Sequence, residues 1–267
     1  MTTIADIIGY VTSLTGHGLN RDEGIQHGEA ERRLHGVTVA WMASPGAIRA
    51  AGEAGHELLL GHESLYFPYD VINMAAPPVG WEDWQVNYQR RAGLDRYGLS
   101  FLRAHGSLDE ICIFDSFVEM LELGAPVCAD GLVKVYEIAP CPLGDLVERV
   151  KARMRMPAVR VAPAPQIDPG VLDRRVHRVG LPWGGLGLFV NVGYQQQLID
   201  QGCDVFIAGE SDNYGFRFAV ECGIPMIETS HELSENPGLA QFTAMLAEEF
   251  PEVEFRVYEN ACVWEIL

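Results

Sequence analysis

The stretch that decides the fold runs from residue 37 to residue 63. It reads Val37-Thr-Val-Ala-Trp41, then Met-Ala-Ser-Pro-Gly-Ala-Ile-Arg-Ala-Ala-Gly-Glu-Ala-Gly55, then His-Glu-Leu58-Leu-Leu60-Gly-His62-Glu63. Two short apolar runs flank a predicted helix from about Pro45 to Gly55. Helices favour proline in their first turn and glycine at their C-terminal end. Strand, helix and strand in this order predict a βαβ unit with parallel strands. The second strand ends directly at a histidine and a glutamate.

The same alternation of apolar runs and helical patterns continues along the chain. Ser100 to Ala104 and Asp204 to Ala208 are typical of short buried strands. Asp109 to Leu123 repeats apolar residues at helical spacing. A second apolar stripe predicts a helix from Pro237 to Phe250, with Asn236 available as its cap. The pattern favours an α/β protein.

The middle of the chain has a different composition. Four prolines fall between residues 157 and 169 with valines among them, which predicts an extended segment or an edge strand near the midpoint. We therefore predict a two-lobed α/β fold with mainly parallel sheets and flanking helices. The lobes are expected to cover roughly residues 1–140 and 141–267. The sequence does not indicate a role for residues 124–190. The glycine-rich stretch within them, Gly184 to Gly187, is interpreted as a structural turn because no phosphate-loop lysine follows.

Composition excludes several classes of function. The formal net charge of -18 repels phosphate backbones and anionic lipid, so neither nucleic acid nor a membrane surface is an expected partner. No signal peptide is visible at the start, and no apolar run reaches the roughly 20 residues of a membrane span. The six cysteines are scattered without a Cys-x-x-Cys pair, which is typical of reduced thiols. We expect a cytoplasmic protein.

Three predicted strand ends present a histidine together with a carboxylate. Open parallel sheets bind ligands at the carboxyl ends of their strands, so these positions matter. Imidazole and carboxylate together suit zinc, iron, manganese or cobalt. The three motifs are His62-Glu63, His105-Gly-Ser-Leu-Asp109 and His231-Glu-Leu-Ser-Glu235.

Each motif alone is more typical of ordinary structure than of a metal site. A single His-Glu pair is usually a solvated surface feature, and an acid in a first helical turn stabilises the helix dipole without any ion. The recurrence of the pattern favours metal binding. The ligands exceed the needs of one tetrahedral ion, whereas two ions about 3.5–4 Å apart and bridged by a carboxylate would use them all. An α/β protein without metal is the alternative.

The three motifs, in this order, resemble the Ngg-interacting-factor-three-like family of dinuclear metal-centre proteins. Bacterial members of that family are often labelled GTP cyclohydrolase type 2 homologues. The family has a His-His pair after an apolar strand, then His-x-x-Leu-Asp, then Gly-His-x-x-x-Glu near the C-terminus. Residues 204–210, Asp204-Val-Phe-Ile-Ala-Gly-Glu210, also resemble the family strand that ends in Thr-Gly-Glu, with Ala208 in place of threonine.

This resemblance implies a site in the cleft between the lobes that holds two divalent ions. His105 takes the place of a family histidine close to the metals. Glu63 departs from the family pattern, where a second histidine is usual. A carboxylate is the harder ligand, which favours manganese, iron or magnesium over zinc. The ligand positions implied by the resemblance are His62, Glu63, Asp109, His231 and Glu235.

The function implied is that of a metal-dependent hydrolase. Two ions would lower the pKa of a bound water, with Glu63 and His105 as the candidate catalytic residues for proton transfer. The family label suggests a nucleotide-like or purine-ring substrate, and the family assembles as hexamers, so a homohexamer is expected. The alternative is a non-catalytic protein for metal binding, metal delivery or protein interaction. A plain metal-free α/β protein is the third hypothesis.

Overall fold

The structure is a computed structural model that describes residues 1–265 of the chain. Its strands are β1 Gly24–His27, β2 Gly36–Ala40, β3 Leu58–Gly61, β4 Ser100–Arg103, β5 Pro126–Asp130, β6 Val133–Pro142, β7 Arg160–Ala162, β8 Arg175–Gly180, β9 Val205–Ala208, β10 Met226–Glu228 and β11 Glu254–Tyr258. Its helices are α1 Ile4–Thr15, α2 Pro45–Glu53, α3 Gln85–Tyr97, α4 Gly106–Leu108, α5 Phe114–Leu121, α6 Leu143–Met154, α7 Val192–Asp200, α8 Asn213–Glu221 and α9 His231–Glu249. The predicted α/β class is confirmed.

The chain divides into two compact units, each built on one sheet. Of the described residues, the first unit comprises 1–113 and 236–260, and the second comprises 114–235 and 261–265. Sequence analysis places the boundary around residue 140. In the structure β5 and β6 belong to the second sheet, because β6 pairs with β8.

The first sheet has the strand order β1-β4-β3-β2-β11. Strands β4, β3, β2 and β11 run parallel, and β1 lies antiparallel at the edge. Every residue of β2, β3 and β4 is buried, as expected for strands covered on both faces, and their sequences are largely apolar apart from Thr38, Ser100 and Arg103. The predicted βαβ unit is confirmed: α2 starts at Pro45, is capped by the Ser44 side chain and connects β2 to β3. Parallel order brings the ends of β3 and β4 to the same edge.

The second sheet is mixed, with the order β5-β6-β8-β9-β10-β7. Strands β8, β9 and β10 are parallel, whereas β5, β6 and β7 pair in antiparallel fashion. The proline-rich segment contributes β7 at one edge, as predicted. A segment rich in proline favours the edge of a sheet, because proline has no backbone N–H to donate to a neighbouring strand.

Helix α9 begins at His231. The prediction that it starts at Pro237 with Asn236 as the cap is wrong. Pro237 lies inside the helix, where its missing N–H removes one backbone hydrogen bond without ending the helix. The six-residue extension places His231 and Glu235 one turn apart on one face.

Gly52 has a packing role in the first unit. A Cβ at Gly52 would lie 2.1 Å from Cγ of the Tyr97 ring, so the close approach of α2 and α3 requires glycine. We expect Gly52→Ala to lower the free energy of unfolding by about 1–3 kcal/mol, because a clash between rigid groups forces a backbone shift. Gly9→Ala is the matched control, since nothing lies within 4 Å of its Cβ and the change favours the helix by about 0.5–1 kcal/mol. Urea unfolding measures the free energy of unfolding of both variants. An equal change in Gly52→Ala and Gly9→Ala would contradict the packing role of Gly52.

His56 should make stability depend on pH. Its imidazole is buried, with Nδ1 2.8 Å from Thr38 Oγ1, and burial lowers the pKa of His56 below its ordinary 6.5. The folded state therefore binds fewer protons than the unfolded state as pH falls through about 6.5, so the stability falls with it. Above that pH the effect is absent. Urea unfolding at pH 7.5 and 5.5 measures how much the free energy of unfolding falls between these two pH values. This fall should be smaller for His56→Gln than for the unmodified chain. An equal fall in both would assign the pH dependence to other groups.

Candidate metal centre

His62 and Glu63 follow β3 in the first unit, and the fold fixes the orientation of His62. The imidazole is fully buried, and Nδ1 lies 3.2 Å from the carbonyl oxygen of Ala104. A carbonyl only accepts, so Nδ1 carries the proton and Nε2 carries the lone pair. Nε2 lies 3.9 Å from Oδ1 of Asp109. A backbone acceptor that holds one ring nitrogen while the other faces a carboxylate is the usual arrangement of a metal-binding histidine.

The first unit brings four of the predicted site residues together. Ligand atoms of His62, Glu63 and His105 all lie within 4.8 Å of one another. Asp109 opens a π-helical turn that continues α4, and a single π turn inside a helix is a frequent feature of functional sites. These four side chains offer two imidazoles and two carboxylates, a donor set that suits a divalent transition metal.

His105 is held by two acidic residues that sequence analysis missed. Oδ2 of Asp22 lies 2.8 Å from Nδ1 of His105, and Glu23 accepts hydrogen bonds from the backbone N–H of His105 and of Ser107. The hydrogen bond with His105, aided by the charge of Arg103, lowers the pKa of Asp22 to about 2. Asp22 and Glu23 precede β1 without any motif, so only the antiparallel pairing of β1 with β4 brings them to the site.

Arg103, the last residue of β4, supplies a buried positive charge beside the carboxylates. The side chain is fully buried, and Nε donates to the carbonyl of His62 at 3.2 Å. Its guanidinium lies 3.1 Å from Oδ2 of Asp22 and 3.9 Å from Oε2 of Glu63. Nη2 donates to the hydroxyl of Tyr69 at 2.8 Å. Arg103 therefore reduces the repulsion among acidic groups that are held close together.

In the second unit, His231 and Glu235 form a ready pair of ligands. Nε2 of His231 lies 3.3 Å from Oε1 of Glu235. Two donor atoms on one ion, each about 2.0–2.2 Å from it, are spaced about 3 Å apart. Nδ1 of His231 lies 3.0 Å from Oε2 of Glu210, and this hydrogen bond lowers the pKa of the Glu210 carboxyl. The sequence related Glu210 to a family strand end but gave it no role; in the structure it orients His231.

The glycine-rich turn packs directly against this pair. A Cβ at Gly184 would lie 2.0 Å from Oε1 of Glu235 and 3.1 Å from Nε2 of His231. Gly184 also has φ of +50°, and its carbonyl accepts from the backbone N–H of Glu210 at 2.7 Å. The stretch is a structural turn, as predicted. Its glycines also leave room for the carboxylate and the imidazole.

Two α/β units that each present histidine and carboxylate side chains beside strand ends define a class of candidate metal-binding proteins. The chain belongs to the Duf34/NIF3 (NGG1p interacting factor 3) family, whose sequence model matches residues 2–262. This confirms the resemblance inferred from the motifs.

Similar proteins support the same assignment. The chain is 27% identical over 151 residues to a Haemophilus influenzae protein named GTP cyclohydrolase 1 type 2 homolog; the match spans 52% of this chain and 58% of that relative. Among solved structures, a Bacillus cereus protein related to NIF3 has a TM-score of 0.78 at 14% identity, covering 100% of this chain and 99% of the other. A NIF3 superfamily protein from Sphaerobacter thermophilus has a TM-score of 0.61 at 14% identity, covering 97% and 98%. At such identities the structures show the fold alone.

Proposed function

We propose that the chain binds divalent metal, two ions when fully loaded, and is a metal-dependent hydrolase. The observation that carries the proposal is the orientation of His62 and His231. In each unit a hydrogen bond from Nδ1 holds the imidazole, and Nε2 faces a carboxylate. Such outer hydrogen bonds are typical of metal-binding histidines. The proposed ligands are His62, Glu63, Asp109, His231 and Glu235.

The residues fit the chemistry of a hydrolase. Bound divalent metal would lower the pKa of a coordinated water and polarise the bond under attack. His105 is proposed to move the proton, because Asp22 holds its Nδ1 and fixes the direction of the ring. Glu63 is the second proposed proton acceptor, and its carboxylate favours manganese, iron or magnesium. The name of the Haemophilus relative supports a nucleotide-like or purine-ring substrate.

A non-catalytic metal-binding role is the second candidate. The donor set alone does not distinguish the two, because a catalytic site needs an open coordination position that holds water whereas a structural site is closed by protein ligands. That both sets of ligands act on the same ions in a cleft between the lobes stays a prediction, as does the homohexamer. Among residues 1–265, no helix has the length and hydropathy to cross a membrane. None of the six cysteines, all within residues 1–265, forms a disulfide bond, which supports our proposal of a cytoplasmic location.

Elemental analysis of the purified chain by plasma mass spectrometry tests the proposal. We expect about two divalent ions per chain after reconstitution with manganese, iron or zinc. Asp109→Ala and Glu235→Ala should each lose metal, and loss of both ions in each variant would indicate a shared centre. Glu148→Ala removes an exposed carboxylate of α6 and should keep full stoichiometry.

Activity screening of the same preparations separates the two functions. Phosphate esters and purine nucleotides are the substrates to be tested with the reconstituted chain. Turnover that disappears in the metal-deficient variants supports the hydrolase. Stoichiometric metal without turnover favours the non-catalytic role, and full metal content in both ligand variants would overturn the site itself.

A further inference from the structure

Residues other than those of the candidate metal centre line a groove on the second unit. It runs between β7 with the residues that follow it and helix α8, and its volume is about 570 Å³. Pockets for small organic ligands commonly have about 300–1,000 Å³. The groove is therefore large enough for a compact organic molecule.

Most of the lining is apolar. Val161 and Pro163 line one side, and Phe216 and Val220 line the other. Ile167 also lines the groove and is exposed to solvent, with a relative accessibility of 78% for the residue. An apolar molecule placed here would remove this surface from water, which is the main driving force for such binding.

The polar lining is dominated by two arginines that differ in their surroundings. Arg160 is compensated: it forms an ion pair with the buried Glu228, donates to the carbonyl of Ser211 at 2.9 Å and stacks over the Phe216 ring at 5.2 Å. Arg217 is exposed, and within residues 1–265 it has no hydrogen-bond or ion-pair partner. Arg217 is therefore the cation of the groove that is open to an incoming anion, in competition with Glu221, which lies one helical turn away on α8 and lines the same groove.

The charge at the groove sets the class of ligand. Arg217 can pair with one negative charge, and Glu221 on the same groove opposes a second. A phosphate monoester carries about two negative charges near neutral pH, whereas a carboxylate carries one. A polynucleotide is disfavoured by the charge of the whole chain.

We propose that this groove binds a small organic carboxylate with an apolar, ring-bearing or branched body. The carboxylate pairs with Arg217, and Asn213 at the start of α8 offers an amide N–H donor beside it. The body lies along Val161, Pro163 and Phe216. The inference rests on residues of the second unit only and stands whether or not the chain binds metal.

Titration calorimetry with 4-phenylbutyrate as the probe tests the proposal on the full chain, with and without added metal. We expect saturable binding with a Kd of about 1 mM or tighter, the level reached by ligands of this size. 4-Phenylbutyramide has the same body without the charge and should bind about tenfold more weakly.

Variants locate the site. Arg217→Gln should weaken 4-phenylbutyrate about tenfold and leave the amide unaffected, because only the ion pair is lost. Arg174→Gln removes an exposed arginine of the same unit outside the groove lining and should change neither affinity. Val220→Trp fills the groove and should abolish the binding of both 4-phenylbutyrate and 4-phenylbutyramide. Absence of saturable binding, equal binding of acid and amide, no effect of Arg217→Gln, or tighter binding of phenyl phosphate would each overturn the proposal.

Discussion

Replacing Arg103 with methionine lowers the free energy of unfolding by about 3–5 kcal/mol in our expectation. The guanidinium is fully buried and lies within 4 Å of three carboxylates, those of Asp22, Glu63 and Asp70. Methionine has a similar length but leaves these acidic groups without their cation. Removing one partner of a buried charge network costs about this much because the remaining charges are uncompensated. Urea unfolding in the presence of a chelator measures the effect without metal.

Arg21→Met is the matched control for this prediction. Arg21 also pairs with Asp70, at 3.2 Å, but 80% of its side chain is exposed to solvent. An exposed pair of this kind contributes about 0–1 kcal/mol. Arg103→Lys should fall between the two variants, since lysine keeps the charge but lacks the fork that reaches His62 and Tyr69 together. A loss below about 1 kcal/mol for Arg103→Met would contradict the role of this residue.

The sequence predicted the first sheet better than the second, for a physical reason. Strands β2 and β3 are buried on both faces and flank a capped helix, so composition and spacing define them. Strand β5 is largely exposed, and β6 is buried only in part along its length. Strand β5 is stabilised by pairing with β6, and β6 by pairing with β8, about 40 residues away, and no local pattern reports the pairing of β6 with β8.

The candidate site shows the same division between local and distant information. His62, His105 and His231 were predicted because each follows a strand and has a carboxylate nearby in sequence. Their supporting groups are distant in sequence: Asp22 lies 83 residues from His105. Arg103 was also missed, because as the last residue of a short strand it is indistinguishable from an ordinary surface arginine. The candidate ligands can therefore be predicted from local motifs. The residues that hydrogen-bond to them, such as Asp22, cannot, because only the pairing of distant strands brings them close.

Glu210→Gln should lower the affinity for zinc by about 10–100-fold while the number of bound ions at saturation stays the same. Oε2 of Glu210 lies 3.0 Å from Nδ1 of His231, and its charge both orients the ring and raises the basicity of Nε2. Glutamine keeps the size of the side chain and can still accept a hydrogen bond, but it has no charge. Competition with a chromophoric chelator measures the affinity. Glu148→Gln, on the exposed face of α6, is the matched control and should leave the affinity unchanged.

The stoichiometry in this experiment separates two roles for Glu210. A residue that only positions His231 weakens binding when changed but keeps every ion at saturation. A residue that binds metal directly removes an ion, and that result would add Glu210 to the ligands. An affinity equal to that of the unmodified chain would mean that the 3.3 Å pair of His231 and Glu235 holds its orientation through the helix and the Gly184 turn alone. In that case the close packing of the turn, and not the charge of Glu210, would prepare His231 for metal.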